Sequence, residues 1–425
     1  MAEQENKMFS KPSTVVVGAG VGGIAAVGAL SAAGLHVFWI DPMFTAGAFA
    51  RYRDVPANTK ISLLGPHFEN LVPQGMDGAA RGALDALKQR AYSLTLPSDP
   101  DSGLGWCGLA DVGDVLSAMS QASFPGVTKL MGTVTSMTAD PRGRWRLRYE
   151  IDLDRHTEEL VVDNVVLSTG CVPVAAPSEL LPRNWVSSSD QAAVRVIPPE
   201  EALQADLLRE QLLQAGCGGV AVVGGGHTGV VLVRSLLGMS DLPVTVRLFI
   251  RRPIQLAQWS TEHGKYGAWG FRGLKGAAAE LALTHGLVGR EACNGPVSDV
   301  DSRLELWDVR RMSTDASAVD GIRAVVYCVG YTRGPLPKIV MAAGAEAAVT
   351  GCEPSTGGLH TSDGTLPGLY GAGIAFAEDE DSSGAPYPEA SLKAFSARAR
   401  VIAADAHSRS TVVEGKGTRK AQRRV

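Results

Sequence analysis

The chain has 425 residues, 45% of them hydrophobic and 20% charged, with a formal net charge of −4. That length exceeds what one hydrophobic core normally supports, so two or three domains are expected, and the charge gives no basis for a nucleic-acid partner. Long apolar stretches such as 219–237 carry His227, Arg234 and several glycines, so no integral membrane segment is expected. The polar start MAEQENKMFSKPS lacks the apolar core of a secretory signal, and six scattered cysteines show neither CxxC nor metal-ligand spacing. The expectation is a cytoplasmic protein with reduced thiols and no metal site.

The first organised stretch is TVVVGAGVGGIAAVGALSAAGLHVFWID, Thr14 to Asp41. Val15, Val16 and Val17 read as a buried strand, followed by Gly18, Gly20, Gly22 and Gly23 and an Ala-rich helix ending near Gly34. This is the strand, turn and helix context of a dinucleotide fingerprint. Gly18 suits the tight turn, Gly20 the approach of backbone N–H groups to a pyrophosphate, and Gly23 close packing of helix on strand. The anion would sit at the helix N-terminus, where N–H groups are unpaired. Asp41 stands near the roughly 20-residue spacing of a carboxylate that accepts from ribose hydroxyls. An isolated glycine triplet is often only a turn; here every contextual element accompanies it.

A long Gly/Pro/Asn-rich loop follows, over 42–78, then a helical run over 79–91 and another helix with Asp111 as N-cap. Three strand segments, near 127–137, 144–151 and 159–167, predict a meander ending at Thr169 and Gly170. The fingerprint then recurs. Val220 to Val223 lead into Gly224, Gly225, Gly226, His227, Thr228 and Gly229, a helix over 230–237 and a strand over 244–250. Arg251 and Arg252 replace the acid found after the first unit's second strand. A guanidinium fork donates to a 2′-phosphate, which favours NADPH over NADH; the plain alternative is a solvated basic pair at a strand end. His227 follows the turn directly, placed to donate to a pyrophosphate.

Downstream, a loop over 255–275 carries Trp259, His263, Tyr266, Trp269 and Phe271, aromatics that either cover nicotinamide or pack the loop on its own domain. A helix over 275–285, a second meander near 297–300, 303–309 and 322–329, the segment GLYGAGIAF over 368–376 and a final helix over 387–404 complete the chain. The basic end, 413–425, is expected to be disordered.

Taken in order, GAGVGG, VVLSTG, GGGHTG, AVVYCVG and GLYGAGIA make the sequence resemble the flavoproteins with two dinucleotide-binding domains. That group includes pyridine nucleotide disulfide reductases and flavin-containing monooxygenases. The resemblance implies an α/β protein of two Rossmann-like domains, each βαβ plus a meander. FAD binds the first fingerprint, with Gly373 in the C-terminal motif, and NAD(P)H binds the second. The implied FAD domain spans 1–176 and 331–412, with the NAD(P)H domain, 177–330, inserted in it.

The resemblance also guides the choice of subfamily. No redox cysteine pair stands at either usual location, and Ile374 follows Gly373 where reductases of the group usually have Asp. The stretch GAFARYRDVPANTKIS over 47–62 is similar to flavin-containing monooxygenases, which have a Tyr followed by an Asn-Thr pair. On those positions Tyr52 belongs to the flavin pocket, and Asn58 aims an amide at the flavin edge that reacts with oxygen. The alternative is that Asn58 only stabilises a loop turn. Against the monooxygenase likeness, that family's aromatic and His-containing signature is missing between Gly170 and Gly219, and Ala48 and Phe49 replace a usual Trp. Val27 and Val233 replace small residues on the two helices.

Three functions follow as expectations. The first is an FAD enzyme that oxidises NADPH and oxygenates a small organic substrate. The second is a reductase of a quinone, small molecule or redox protein, and the third is a flavin-binding regulatory protein without turnover. Homodimer formation is left open.

Overall fold

A computed structural model describes residues 12–60, 106–151, 156–182, 194–257, 259–260, 268–269, 273–297, 301–377 and 391–421, with isolated positions between 68 and 86. β1 (Ser13–Val17) is a valine run buried on both faces, as a central parallel strand requires. The chain turns into α1 (Val21–Ala32) and returns as β2 (His36–Asp41), parallel to β1 with Val17 beside Ile40. The expected long loop contains structure: after a 3-10 turn at Gly47–Arg51, β3 (Pro56–Lys60) pairs antiparallel with β4 (Trp106–Gly108). α2 (Leu109–Gln121) begins before Asp111, which lies in its first turn. The Leu109 N–H donates to the Val55 carbonyl at 2.7 Å, so strand-like bonding runs up to the helix's first residue. Of the helical run expected over 79–91, residues 81, 82, 85 and 86 are described and are helical, and the rest lie outside the described residues.

The first meander differs from expectation in two places. β5 (Val127–Met131) pairs parallel with β2, whereas β6 (Thr133–Ala139) pairs antiparallel with β7 (Trp145–Ile151). They part at Gly132, where a Cβ would stand 2.5 Å from the Glu150 carbonyl oxygen. The last segment also divides: β8 (His156–Val162) completes the meander and β9 (Asn164–Leu167) enters the main sheet beside β1. Asp163 marks that break, accepting the Ser13 N–H at 2.9 Å.

β10 (Cys171–Pro173) leads to the middle of the chain, where β11 (Arg195–Val196), α3 (Ala205–Gln214), β12 (Gly218–Val223), α4 (His227–Gly238) and β13 (Val244–Ile250) form the second unit. β14 (Trp259–Ser260) and β15 (Ala268–Trp269) pair antiparallel; the rest of the aromatic loop is largely outside the described residues. α5 (Gly276–Thr284) follows. The expected second meander is not a separate sheet. β16 (Gly295–Pro296) and β17 (Leu304–Asp308) extend the sheet from β13, and β18 (Ile322–Tyr327) lies beside β12. Leu304 and Leu306 on one face of β17, and Trp307 on the other, bury into that sheet's two cores.

The chain returns through β19 (Tyr331–Arg333), antiparallel to β10 with Tyr331 opposite Pro173. β20 (Lys338–Val340) joins β6; β21 (Gly351–Cys352), β22 (Gly358–Thr361) and β23 (Gly364–Gly371) finish the first sheet. The last helix, α6 (Leu392–Ala421), continues through most of the segment expected to be disordered. Residues 422–425 lie outside the description.

Strand order is β21-β22-β23-β9-β1-β2-β5 in the seven-stranded sheet, β11-β18-β12-β13-β17-β16 in the six-stranded sheet and β20-β6-β7-β8 in the meander sheet. Val16 and Val166 face a core shared with α1 and α6, while Val15, Val17, Val165 and Leu167 face the meander. The fold class is the expected one, α/β with two βαβ units, the second inserted between strands of the first sheet. Among the described residues no helix is long and apolar enough to cross a membrane.

Candidate active site

The two glycine turns are built alike. Gly18 (φ 103°) and Gly224 (φ 120°) hold conformations that side chains resist, and a Cβ on either would stand 2.3 Å from a carbonyl oxygen, of Ser168 and Cys328 respectively. Gly23 and Gly229 press each helix onto its turn: a Cβ would lie 1.9 Å from the carbonyl oxygens of Gly18 and Gly224. Gly20 and Gly226 are the N-caps of α1 and α4, and a Cβ on either meets nothing within 4 Å. No side chain caps either helix, which leaves the first-turn N–H groups to an anion.

Around the first turn, Gly22 meets the C-terminal motif backbone to backbone, since its Cβ would be 2.5 Å from the Gly373 Cα. Gly170 lies in the segment after β9, and the neighbouring Thr169 Oγ1 is buried without a hydrogen-bond partner. An open glycine cradle beside an orphaned hydroxyl suits a pyrophosphate with a polar chain running from it, as FAD has. Asp41 is already engaged: Oδ2 accepts the Ala19 N–H at 2.7 Å, and Oδ1 accepts those of Met43 and Phe44 at 2.8 and 2.7 Å.

At the second turn, Arg251 and Arg252 are exposed just past the end of β13. His227 takes a role that sequence did not suggest. Its Nε2 accepts the Lys275 N–H at 2.9 Å, so a donor to phosphate can only be Nδ1. Burial, then the nearby Lys275 charge, pulls its pKa below the ordinary histidine range. Beneath the turn, burial pushes the Cys328 thiol up to about 12, an inert thiol.

Between the two units lies a cavity of about 270 Å³. Asn58, Val55, Pro56, Phe49 and Leu109 line one side; His227 and Thr228 at the start of α4, with Lys275, Ala277 and Ala278 at the start of α5, line the other. Asn58 therefore stands on a strand, not in a loop turn, and shares the cavity with the second glycine turn. Tyr52 does not line it. It sits half-buried near Tyr331, Glu200 and Cys171, where burial first and the charges of Tyr331 and Glu200 next raise its phenol well above the usual range. Thr228 joins the two places, lining the cavity and hydrogen-bonding Tyr331. Sequence reasoning missed Ser168, Lys275 and Tyr331; of these only Ser168 had a signal, its place in VVLSTG.

A family model described as pyridine nucleotide-disulphide oxidoreductase matches residues 12–266. The chain belongs to this family. Membership makes it a flavin-dependent oxidoreductase with FAD as cofactor, which sets aside the reading without turnover. Among characterised proteins, "Monooxygenase AgnR1" of Paecilomyces divaricatus is 27% identical over 388 residues, covering 87% of this chain and 91% of that protein. Solved structures with the same fold include the ornithine N-hydroxylase of Kutzneria sp. 744 with reduced FAD, NADP+ and L-ornithine, at 16% identity and TM-score 0.59, covering 94% of this chain and 99% of that one. The ornithine hydroxylase PvdA of Pseudomonas aeruginosa is similar at 14% identity and TM-score 0.58, covering 93% and 99%.

Proposed function

We propose that the protein is an NADPH-dependent flavin monooxygenase acting on a small organic substrate. The observation that carries the proposal is the cavity shared by Asn58 and the second glycine turn. The relative named a monooxygenase, similar along most of both chains, supports the same reading. The net reaction consumes NADPH, O₂ and one proton and yields NADP+, oxygenated substrate and water.

FAD when bound supplies the two-electron relay and the reaction with oxygen. The chain's residues do the rest. With FAD bound, the Asn58 amide, on the cavity wall, would offer N–H donors to the edge that reacts with oxygen. Phe49, Val55, Leu109, Leu203 and Val231 give that cavity its apolar lining. Arg251 and Arg252 take the 2′-phosphate, and the first turn of α4 takes the pyrophosphate.

The test is anaerobic reduction of the bound flavin by NADPH or NADH, followed by admission of oxygen without substrate. Slow return of the oxidised spectrum, hastened by Asn58→Ala, is expected of a monooxygenase. Prompt return with one peroxide per NADPH, unchanged in Asn58→Ala, would instead mark a reductase of quinones or protein acceptors.

A further inference from the structure

Arg333 carries a cation from the return crossing into the flavin side of the fold. It ends β19 opposite Cys171 on β10. Its Nε donates to the Ala375 carbonyl at 3.1 Å and its Nη1 to the Val349 carbonyl at 3.2 Å, while the guanidinium lies 4.7 Å from the centre of the Phe376 ring. These partners, two carbonyls and an aromatic face, hold the charge without cancelling it. A guanidinium does not shed that charge by losing a proton.

The neighbours of Arg333 place this charge beside the FAD cradle. Ala375 lies in the 3-10 turn Ile374–Phe376, which begins at Gly373, the residue that meets Gly22 of α1 backbone to backbone. Gly334, next after Arg333, presses on the segment that leaves β9. Its N–H donates to the Gly170 carbonyl at 3.1 Å, and a Cβ on it would stand 3.2 and 3.3 Å from the Gly170 and Thr169 carbonyl oxygens. The Arg333 side chain therefore braces the C-terminal motif, while its backbone neighbour packs on the segment that holds the orphaned Thr169 hydroxyl. FAD gains a negative charge when its ring takes two electrons and one proton. A fixed cation favours the more negative state, and away from bulk water its field reaches beyond contact distance.

We propose that Arg333 tunes the flavin: its charge, fixed against the C-terminal motif, stabilises reduced FAD over oxidised FAD. The carbonyls of Ala375 and Val349 and the Phe376 ring are then the mount that keeps the charge in place.

The test is the midpoint potential of FAD in the full chain, taken by anaerobic reductive titration against a reference dye. Neither nucleotide nor substrate is present, so the outcome does not depend on whether the enzyme is a monooxygenase or a reductase. Arg333→Gln should weaken the hold on reduced FAD about tenfold more than that on oxidised FAD, a fall of about 30 mV for two electrons. Arg333→Lys, which keeps the charge, should change that ratio by less than about threefold. Arg333→Met, whose thioether can rest on the Phe376 ring, should match the glutamine variant and replaces it if glutamine prevents folding. Equal falls in the lysine and uncharged variants would make Arg333 a structural brace alone and overturn the proposal. An unchanged potential in the uncharged variants would overturn it as well.

Discussion

Accepting the Lys275 N–H commits His227 to its neutral form, and that commitment has a pH signature. Because the folded pKa is lowered, the unfolded chain binds the extra proton first as pH falls. The contribution of this contact is complete above the ordinary histidine range and is lost as pH drops through it toward the lowered value. From about pH 7.5 to about 5.5 the parent should lose melting temperature faster than His227→Gln, whose side chain does not titrate there. Glycines make the sharper residue-scale prediction. Gly23→Ala should destabilise by about 3 kcal/mol in denaturant unfolding, because its Cβ would lie 1.9 Å from the Gly18 carbonyl oxygen. Gly20→Ala, with open space beside it, should fold normally and bind FAD more weakly. At this scale the glycine pattern was legible because Gly23 and Gly229 each answer to a contact inside their own turn, with the Gly18 and Gly224 carbonyl oxygens. The Asp41 and His227 partners were not, since Asp41 closes on its own neighbours and Lys275 is brought in from a distant helix.

Helices and strands were legible where period and punctuation agreed, as at β1, β12 and α5. The run over 127–137 keeps one strand-like pattern while changing partners at Gly132, and a sequence pattern does not name the partner strand. Gly132→Val should therefore destabilise by about 1–3 kcal/mol, its branched side chain driven into the Glu150 carbonyl, with the loss read by urea unfolding. The six-stranded sheet hid its order for the same reason. Arg247 on β13 bonds Glu305 on β17 at 2.7 Å and donates to the carbonyls of Ala318 and Asp320 at 3.0 and 2.7 Å, tying both to the segment before β18. Its guanidinium also lies 5.6 Å from the Trp307 ring. Arg247→Met should cost about 2 kcal/mol and shift Trp fluorescence, because a half-buried Glu305 is left without its cation.

At the scale of the molecule, the proposed function assigns nucleotide choice to the second sheet. Replacing Arg251 and Arg252 together by Ala should weaken NADPH about a hundredfold and leave NADH nearly unchanged, measured as the concentration dependence of anaerobic flavin reduction. The outline of two sheets was legible in the two fingerprints. The cavity was not, because Asn58 and Thr228 meet only after the whole chain has folded. The pairing of β10 with β19 has a different consequence. The outward and return crossings run side by side, Pro173 opposite Tyr331, so the chain enters and leaves its middle segment along one two-stranded ribbon. Its two ends lie close enough to be sutured. Joining Pro173 to Tyr331 through a short glycine turn would delete the unit proposed to bind NADPH in one cut, and is expected to leave a yellow protein whose absorbance NADPH no longer bleaches.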